Sequence, residues 1–213
     1  MMAFSSMHRS LLLCDGGIES LLACAWLRER LTVEGANGSG GVNPIAMPFT
    51  DQLTQPKVDA IVAMTSSFGL KLVESPVEVP PQLASPGVRE RSHRLLAAVY
   101  QAASLGCSEV VWPVCAGRGE EVDIERAAFF DDTAWLVSRL AALDAANHGV
   151  PSIRVTLPFV QFTAVQLAEL VADMDLDPSG CWWWNATDPA AKAERERWGS
   201  VLETASALPP AAR

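Results

Sequence analysis

The chain has 213 residues, 49% of them hydrophobic and 19% charged, which is enough for one sizeable core and points to a single domain with at most a small appendage. Its 25 acidic residues against 16 basic ones leave a net charge of −9 with no Lys/Arg cluster, so a nucleic-acid duplex or long single strand would be repelled overall. No apolar run reaches the roughly 18 residues of a membrane span, and the N-terminal MMAFSSMHRS lacks the apolar core of a leader. The five cysteines (Cys14, Cys24, Cys107, Cys115, Cys181) are scattered and never form a CxxC pair, as expected of reduced, mostly buried thiols in an untargeted cytoplasmic protein.

The first element is Leu11 to Cys14, an apolar run short enough for a buried strand, broken by Gly16-Gly17. Ile18, Leu21, Leu22 and Ala25 then recur at helical spacing, predicting a helix to about Arg30. A helix that opens on two glycines presents bare backbone N–H groups and the positive end of its dipole, which suits an anion such as phosphate. The plain alternative is a strand-to-helix turn that happens to use glycine. Glu34 to Asn43 is a glycine-rich link, and Ile45 to Phe49 a second strand. A second helix lies within DQLTQPKVDAIVAMTSSFG, with Pro56 near its first turn and Gly69 as its stop, and Leu70 to Val73 is a third strand.

Four prolines and a glycine make Glu74 to Gly87 a loop. A third helix covers about Arg91 to Ser104, a fourth strand Val110 to Val114, and a polar, glycine-bearing stretch runs from Cys115 to Asp123. Ile124 to about Asn147 is a long helix closed by Gly149, and Ile153 to Leu157 the fifth strand. Thr163 and Gln166 have capping-box spacing for a helix lasting to about Met174. From residue 178 to the C-terminus an irregular stretch, PSGCWWWNATDP, precedes a last helix from Pro189 to about Ala207. Strands alternating with helices imply a parallel sheet covered on both faces. Ligands then sit beyond the carboxyl ends of the strands, where the segments after Cys14, Phe49 and Val114 converge.

At Asp15-Gly16-Gly17-Ile18-Glu19-Ser20 the sequence resembles the PP-loop of the ATP pyrophosphatases, usually S-G-G-x-D-S at the end of the first strand. Further stretches are similar to the 7-cyano-7-deazaguanine synthases of queuosine biosynthesis: DQLTQPKVDAIVAMTSSFGLKLVESP, SHRLLAAVYQAASLGCSEVVWPVCAG, VDIERAAFF and VTLPFVQFTAVQLAELVADMDLDPSGCWWW. The resemblance spans about Leu11 to Trp184. It implies a three-layer adenine-nucleotide alpha-hydrolase-like fold with a five-stranded parallel sheet of order 3-2-1-4-5. It also implies an enzyme that adenylates a carboxylate with ATP and Mg²⁺, releasing pyrophosphate and then AMP. A small nucleotide or deazapurine-like substrate is the partner so implied; a homodimer is left open.

Carried over residue by residue, the resemblance makes Gly16, Gly17, Ile18 and Ser20 the phosphate cradle, with Met47, Phe49 and Gly117 completing the nucleotide contacts. Glu19 takes the place of the family's Asp as a Mg²⁺ ligand and catalytic group, and Arg126 that of its arginine. Asp15 replaces the family's first Ser. A carboxylate about 4 Å from a phosphate oxygen repels it by roughly 4 kcal/mol at an effective dielectric near 20, so nucleotide entry needs Mg²⁺ between them or a turned-away side chain. Asp15 is equally a helix N-cap, and in that role its carboxylate takes up the N–H groups a phosphate would need.

The family's lysine after the fifth strand is replaced in Gln161-Phe162-Thr163-Ala164, and of its four zinc cysteines only Cys181 remains, so no zinc site is expected. Trp182, Trp183 and Trp184 are expected to plug that corner. Arg118 and Asp123 could also face the crevice, or be surface charge at a helix start. Cys115 is read chiefly as a buried thiol, and His8, His93 and His148 as solvated or capping residues. Two functions follow: an ATP-using enzyme of the PP-loop type, or a repurposed member that keeps the fold as a binding or partner module.

Overall fold

The computed structural model describes residues 9–36, 43–50, 52–75, 88–148 and 152–207. Residues 37–42 of the glycine-rich link, 76–87 of the proline loop, His8 and Gly149 lie outside them. Five strands form one parallel sheet: β1 (Ser10–Cys14), β2 (Ile45–Pro48), β3 (Lys71–Leu72), β4 (Glu109–Val111) and β7 (Arg154–Thr156). Their order is β3-β2-β1-β4-β7, the expected order of the five sheet strands. A two-stranded antiparallel hairpin, β5 (Gly117–Arg118) and β6 (Glu121–Val122), intervenes after β4 and was expected only as an irregular stretch. Its turn uses Gly119 at φ +59°.

Helices α1 (Ile18–Ala36), α2 (Gln55–Ser67), α3 (Val88–Ser104), α4 (Ile124–His148), α5 (Ala164–Asp173) and α6 (Pro189–Ala207) cover the sheet. β1 is buried throughout because it is the central strand, and its side chains alternate between two cores. Leu12 and Cys14 pack with Ile18, Leu22, Leu167, Trp183 and Trp198 on one side. Leu11 and Leu13 pack with Met47, Leu95, Val99, Trp112 and Phe130 on the other.

Prolines mark the carboxyl ends of β2 and of the run after β4. β2 ends at Pro48, and Pro113 follows Trp112, whose N–H makes the last bond across to the Thr156 carbonyl at 2.9 Å. Proline cannot donate to the ladder, so pairing runs out at this level: past Pro48 one bond to β1 remains, from the Phe49 N–H to the Cys14 carbonyl at 2.8 Å, and the carboxyl edge opens beyond it. α2 starts later than Asp51, with Thr54 extended at its N-cap and proline in its first turn. The capping box of α5 is present: Thr163 Oγ1 accepts from the Gln166 N–H, and Gln166 Oε1 from the Thr163 N–H.

At the opposite, amino edge of the sheet sits a buried acid, Glu109. Ser10 Oγ donates to it at 2.8 Å, Thr156 Oγ1 at 2.7 Å and the Arg30 guanidinium at 3.1 Å. Burial pushes its carboxyl up, but these donors outweigh burial and hold it below the usual carboxylate range. The cluster ties β1, β4, β7 and α1 together. Replacing Glu109 by Ala should therefore cost about 2–3 kcal/mol at neutral pH, since it strands two hydroxyls and a guanidinium. Because the folded-state pKa is depressed, this contribution is present above the unfolded pKa and disappears as pH falls through the folded one. Urea melts of wild type and E109A should differ at pH 7, and the difference should narrow as pH falls below the ordinary carboxylate range; equal stabilities at pH 7 would show that the cluster contributes nothing.

Candidate active site

The sequence Asp15-Gly16-Gly17 folds into a turn that closes on itself. Gly16 adopts φ +80°, and its α-carbon lies so close to α2 that an added Cβ would stand 3.2 Å from Ala60 Cβ. Asp15 Oδ1 accepts from the Gly17 N–H at 2.8 Å and from Ser20 Oγ at 2.7 Å, while Ser20 Oγ accepts from the Asp15 N–H at 3.0 Å. Asp15 thus closes a turn just ahead of α1 rather than capping the helix as expected: Gly17 holds the N-cap position, its carbonyl accepting from the Leu21 N–H at 3.0 Å, and the Ser20 hydroxyl both donates and accepts inside the turn.

Beyond the turn, at the carboxyl ends of β1, β2 and β4, opens a crevice of about 310 Å³. Phe49, Trp112 and Phe130 form one wall, stacked edge to face with ring centroids 6.2 and 5.3 Å apart. Pro113, Val114 and Cys115 continue it, and Asp15, Gly17 and Glu19 make the floor. Four cations line it: Lys57 from α2, Arg91 from α3, Arg126 from the first turn of α4 and Arg197 from α6. Lys57 Nζ donates to Thr50 Oγ1 at 2.8 Å and lies 4.8 Å from the centre of the Trp182 ring. The Arg126 guanidinium lies 5.4 Å from the centre of Phe130.

Glu19 is the most perturbed acid described. Burial pushes its carboxyl up to about 7; Arg197, whose Nη2 is 3.2 Å from Glu19 Oε1, pulls it down, and the Asp15 carboxylate pushes it up again. Arg197 also reaches Glu194 Oε2 at 3.5 Å, which accepts from Trp198 Nε1 as well. The C-terminal segment is tied to the turn a second time, the Trp182 N–H donating to the Gly16 carbonyl at 3.0 Å.

Of the residues expected at the site, Asp15, Gly17, Glu19, Phe49 and Arg126 line the crevice. Gly16 and Ser20 shape the turn behind it, and Ile18 is packed in the core. Met47 needs correction: it lies on the same face of β2 as Phe49 but two residues further into the sheet, so it is buried with Leu13, Trp112 and Phe130 beneath the crevice wall rather than lining the opening. Gly117 also has another role. A Cβ there would lie 2.4 Å from the Phe162 carbonyl and 2.5 Å from Thr163 Cα, and its N–H goes to Cys115 Sγ, so it is glycine for close packing on the start of α5. Asp123 accepts from the Arg126 N–H as the cap of α4.

Cys115 is buried, its thiol pushed up by burial, with Sγ donating to the Phe162 carbonyl at 3.1 Å, which suits a structural thiol. Cys181 and Trp183 are buried in the core, Trp182 stands over Lys57, and Trp184 is 41% exposed; one indole of the three therefore plugs the corner. Among the described residues no three of His, Cys, Asp and Glu gather as a metal cluster. Lys57, Arg91, Glu194 and Arg197 were missed in the sequence.

The raised pKa of Glu19 has a measurable sign. The folded state holds this proton more tightly than the unfolded chain, whose ordinary value is 4.5. The associated stability is present below that value and is lost as pH rises to about 7, by roughly 3 kcal/mol. In metal-free buffer, wild type should lose this much relative to E19Q between pH 4.5 and 7.5 in urea melts. Parallel profiles would mean that Glu19 is an ordinary carboxylate.

No family model and no curated protein matches this chain. Among solved structures, it is similar to an NAD+ synthetase from Burkholderia pseudomallei, with a TM-score of 0.51 and 14% identity over 95% of this chain and 75% of that one. It is also similar to a U34-tRNA thiolase, NcsA, from Methanococcus maripaludis that carries a [4Fe-4S] cluster, with a TM-score of 0.49 and 12% identity over 94% and 71%. The likeness is one of fold: a parallel five-stranded sheet with helices on both faces, arranged as in the adenine-nucleotide alpha-hydrolases.

Proposed function

We propose that the crevice binds ATP with Mg²⁺ and activates a carboxylate as its adenylate. The observation that carries this is the convergence of the glycine turn, two acids and the cations of α2, α3 and α4 on one opening with an aromatic wall. Mg²⁺ is commonly held by one or two carboxylates plus substrate phosphates. Glu19 Oε2 and both Asp15 oxygens lie within 4 Å of the point where a Cβ on Gly17 would sit, so the donor set fits. When bound, the ion would offset the charge of the polyphosphate. A carboxylate oxygen of the substrate attacks the α-phosphorus, the bond to pyrophosphate breaks, and a nitrogen or sulfur nucleophile then displaces AMP.

Arg126 and Lys57 supply positive charge where the phosphoryl group becomes more negative, Lys57 standing in for the lysine absent after β7. Phe49 and Trp112 offer a flat apolar surface for a base. In its finest form the reading is that of a 7-cyano-7-deazaguanine synthase-like ligase acting on a deazapurine carboxylate, which rests on the sequence resemblance.

A second reading, a repurposed binding module, is favoured by one observation: Asp15 Oδ1 already takes the Gly17 N–H and the Ser20 hydroxyl. The two readings give Asp15 opposite roles. If it holds Mg²⁺, D15S weakens nucleotide binding; if it blocks phosphate, D15S restores it by up to about a thousandfold, from the roughly 4 kcal/mol of repulsion removed. Thermal melts with ATP and Mg²⁺ decide. At a hundredfold excess over the dissociation constant, wild type should gain about 2.7 kcal/mol, a rise of roughly 5–10 °C, and K57M should lose most of it. A shift in D15S alone establishes the second reading, and no shift in either protein at millimolar ATP refutes nucleotide binding.

A further inference from the structure

Helix α4 is apolar on both faces, and only one is covered. Ala127, Phe130, Ala134, Val137 and Ala141 pack into the core under the sheet. On the other side Ile124, Trp135, Leu136, Leu140 and Leu143 are 79, 65, 58, 44 and 50% exposed. A helix with large apolar side chains all round is normally enclosed, and a contiguous exposed patch of this kind marks an interface. Beside the patch, α4 and the edge strand β7 frame a groove of about 460 Å³ whose lining includes Trp135, Ser138, Val155, Leu157 and Pro158.

We propose that this face of α4 is the contact between two copies of the chain, paired antiparallel about a two-fold axis. The charges on the face select that occupant. Asp132 and Arg139, both exposed, flank the Trp135-Leu136 pair on either side. Antiparallel pairing centred between Trp135 and Leu136 sets each Arg139 opposite Asp132 of the second copy, twice by symmetry. The same register sets Trp135 against Leu136 at the axis and Leu143 against Ala128, large against small. All six residues are exposed, so one register satisfies the apolar, steric and charge patterns together. In size, 25 residues of helix span about 37 Å, long enough for a helix-on-helix contact over several turns, with the groove alongside adding apolar surface from β7 and the segment after it.

The test is sedimentation equilibrium at micromolar concentrations. Wild type should run at twice 22.8 kDa. The double variant W135E/L136E should be monomeric with an unchanged circular-dichroism spectrum. R139D and D132R should each weaken the dimer tenfold or more by setting like charges together, and R139D/D132R combined should restore it. A monomeric wild type, meaning that the patch serves some other partner, overturns the proposal. So does a dimer indifferent to W135E/L136E, or a charge-swapped double variant no tighter than the single ones.

Discussion

Glu19 sits in the first turn of α1, largely buried on the crevice floor with its side chain 14% exposed, and a second carboxylate, Asp15, lies close by. An acid in that position costs several kcal/mol to ionise unless a cation is brought to it. The cation comes from α6: Arg197 lies 178 positions further along the chain. That one ion pair fixes where the last helix must run. With the Trp182 N–H on the Gly16 carbonyl, it makes the C-terminal segment part of the site rather than an appendage to it. Arg195 completes the attachment by donating to the carbonyls of Trp183, Trp184 and Ala186, which leave the irregular stretch without ladder partners of their own. Two arginines therefore hold this corner to the rest of the fold.

The opposite wall follows from a different constraint. Pro48 and Pro113 end their strands at nearly the same level of the sheet, so the neighbouring segments part there. Phe49 and Trp112, adjacent to those prolines, then meet edge to face over the opening. The aromatic wall and the acidic floor thus arise from separate causes, one from backbone donors that proline lacks and one from the electrostatics of a buried carboxylate. Their meeting at the carboxyl edge is a consequence of the strand order, which sets β1 between β2 and β4.

Much of this was legible in the sequence because it is local. The SLLLC run, the glycine pair and the Thr163–Gln166 box each declare their structure within a few residues, and the order of such elements declares the sheet. That Asp15 would take up local donors was legible for the same reason, since the acid and the groups it satisfies lie within five positions, although they close a turn ahead of α1 rather than cap it. What could not be read is what depends on long-range contact. Lys57 and Arg91 look like ordinary helix-surface cations until the sheet brings α2 and α3 to one rim. Arg197 sits among alternating charges that signal only a solvated helix. Met47 was misplaced because alternation puts it on the same face as Phe49 without showing how far along the strand the opening begins. The β5–β6 hairpin was missed because two-residue strands carry no periodicity, and Gly117 owes its identity to a backbone 45 positions away.

The charge of the crevice runs against that of the molecule. A chain of net charge −9 gathers Lys57, Arg91, Arg126 and Arg197 around three acids, Asp15, Glu19 and Glu194. Arg197 is engaged by Glu19 and Glu194, and Lys57, Arg91 and Arg126 line the same opening as Asp15. One carboxylate at about 4 Å opposes an anion by roughly 4 kcal/mol, and one cation at the same distance offsets it. With three cations on the rim, Asp15 does not by itself reverse the sign of the site. Its effect is positional: it occupies the Gly17 N–H, so an anion entering this crevice would meet the side chains of α2, α3 and α4 rather than that backbone donor.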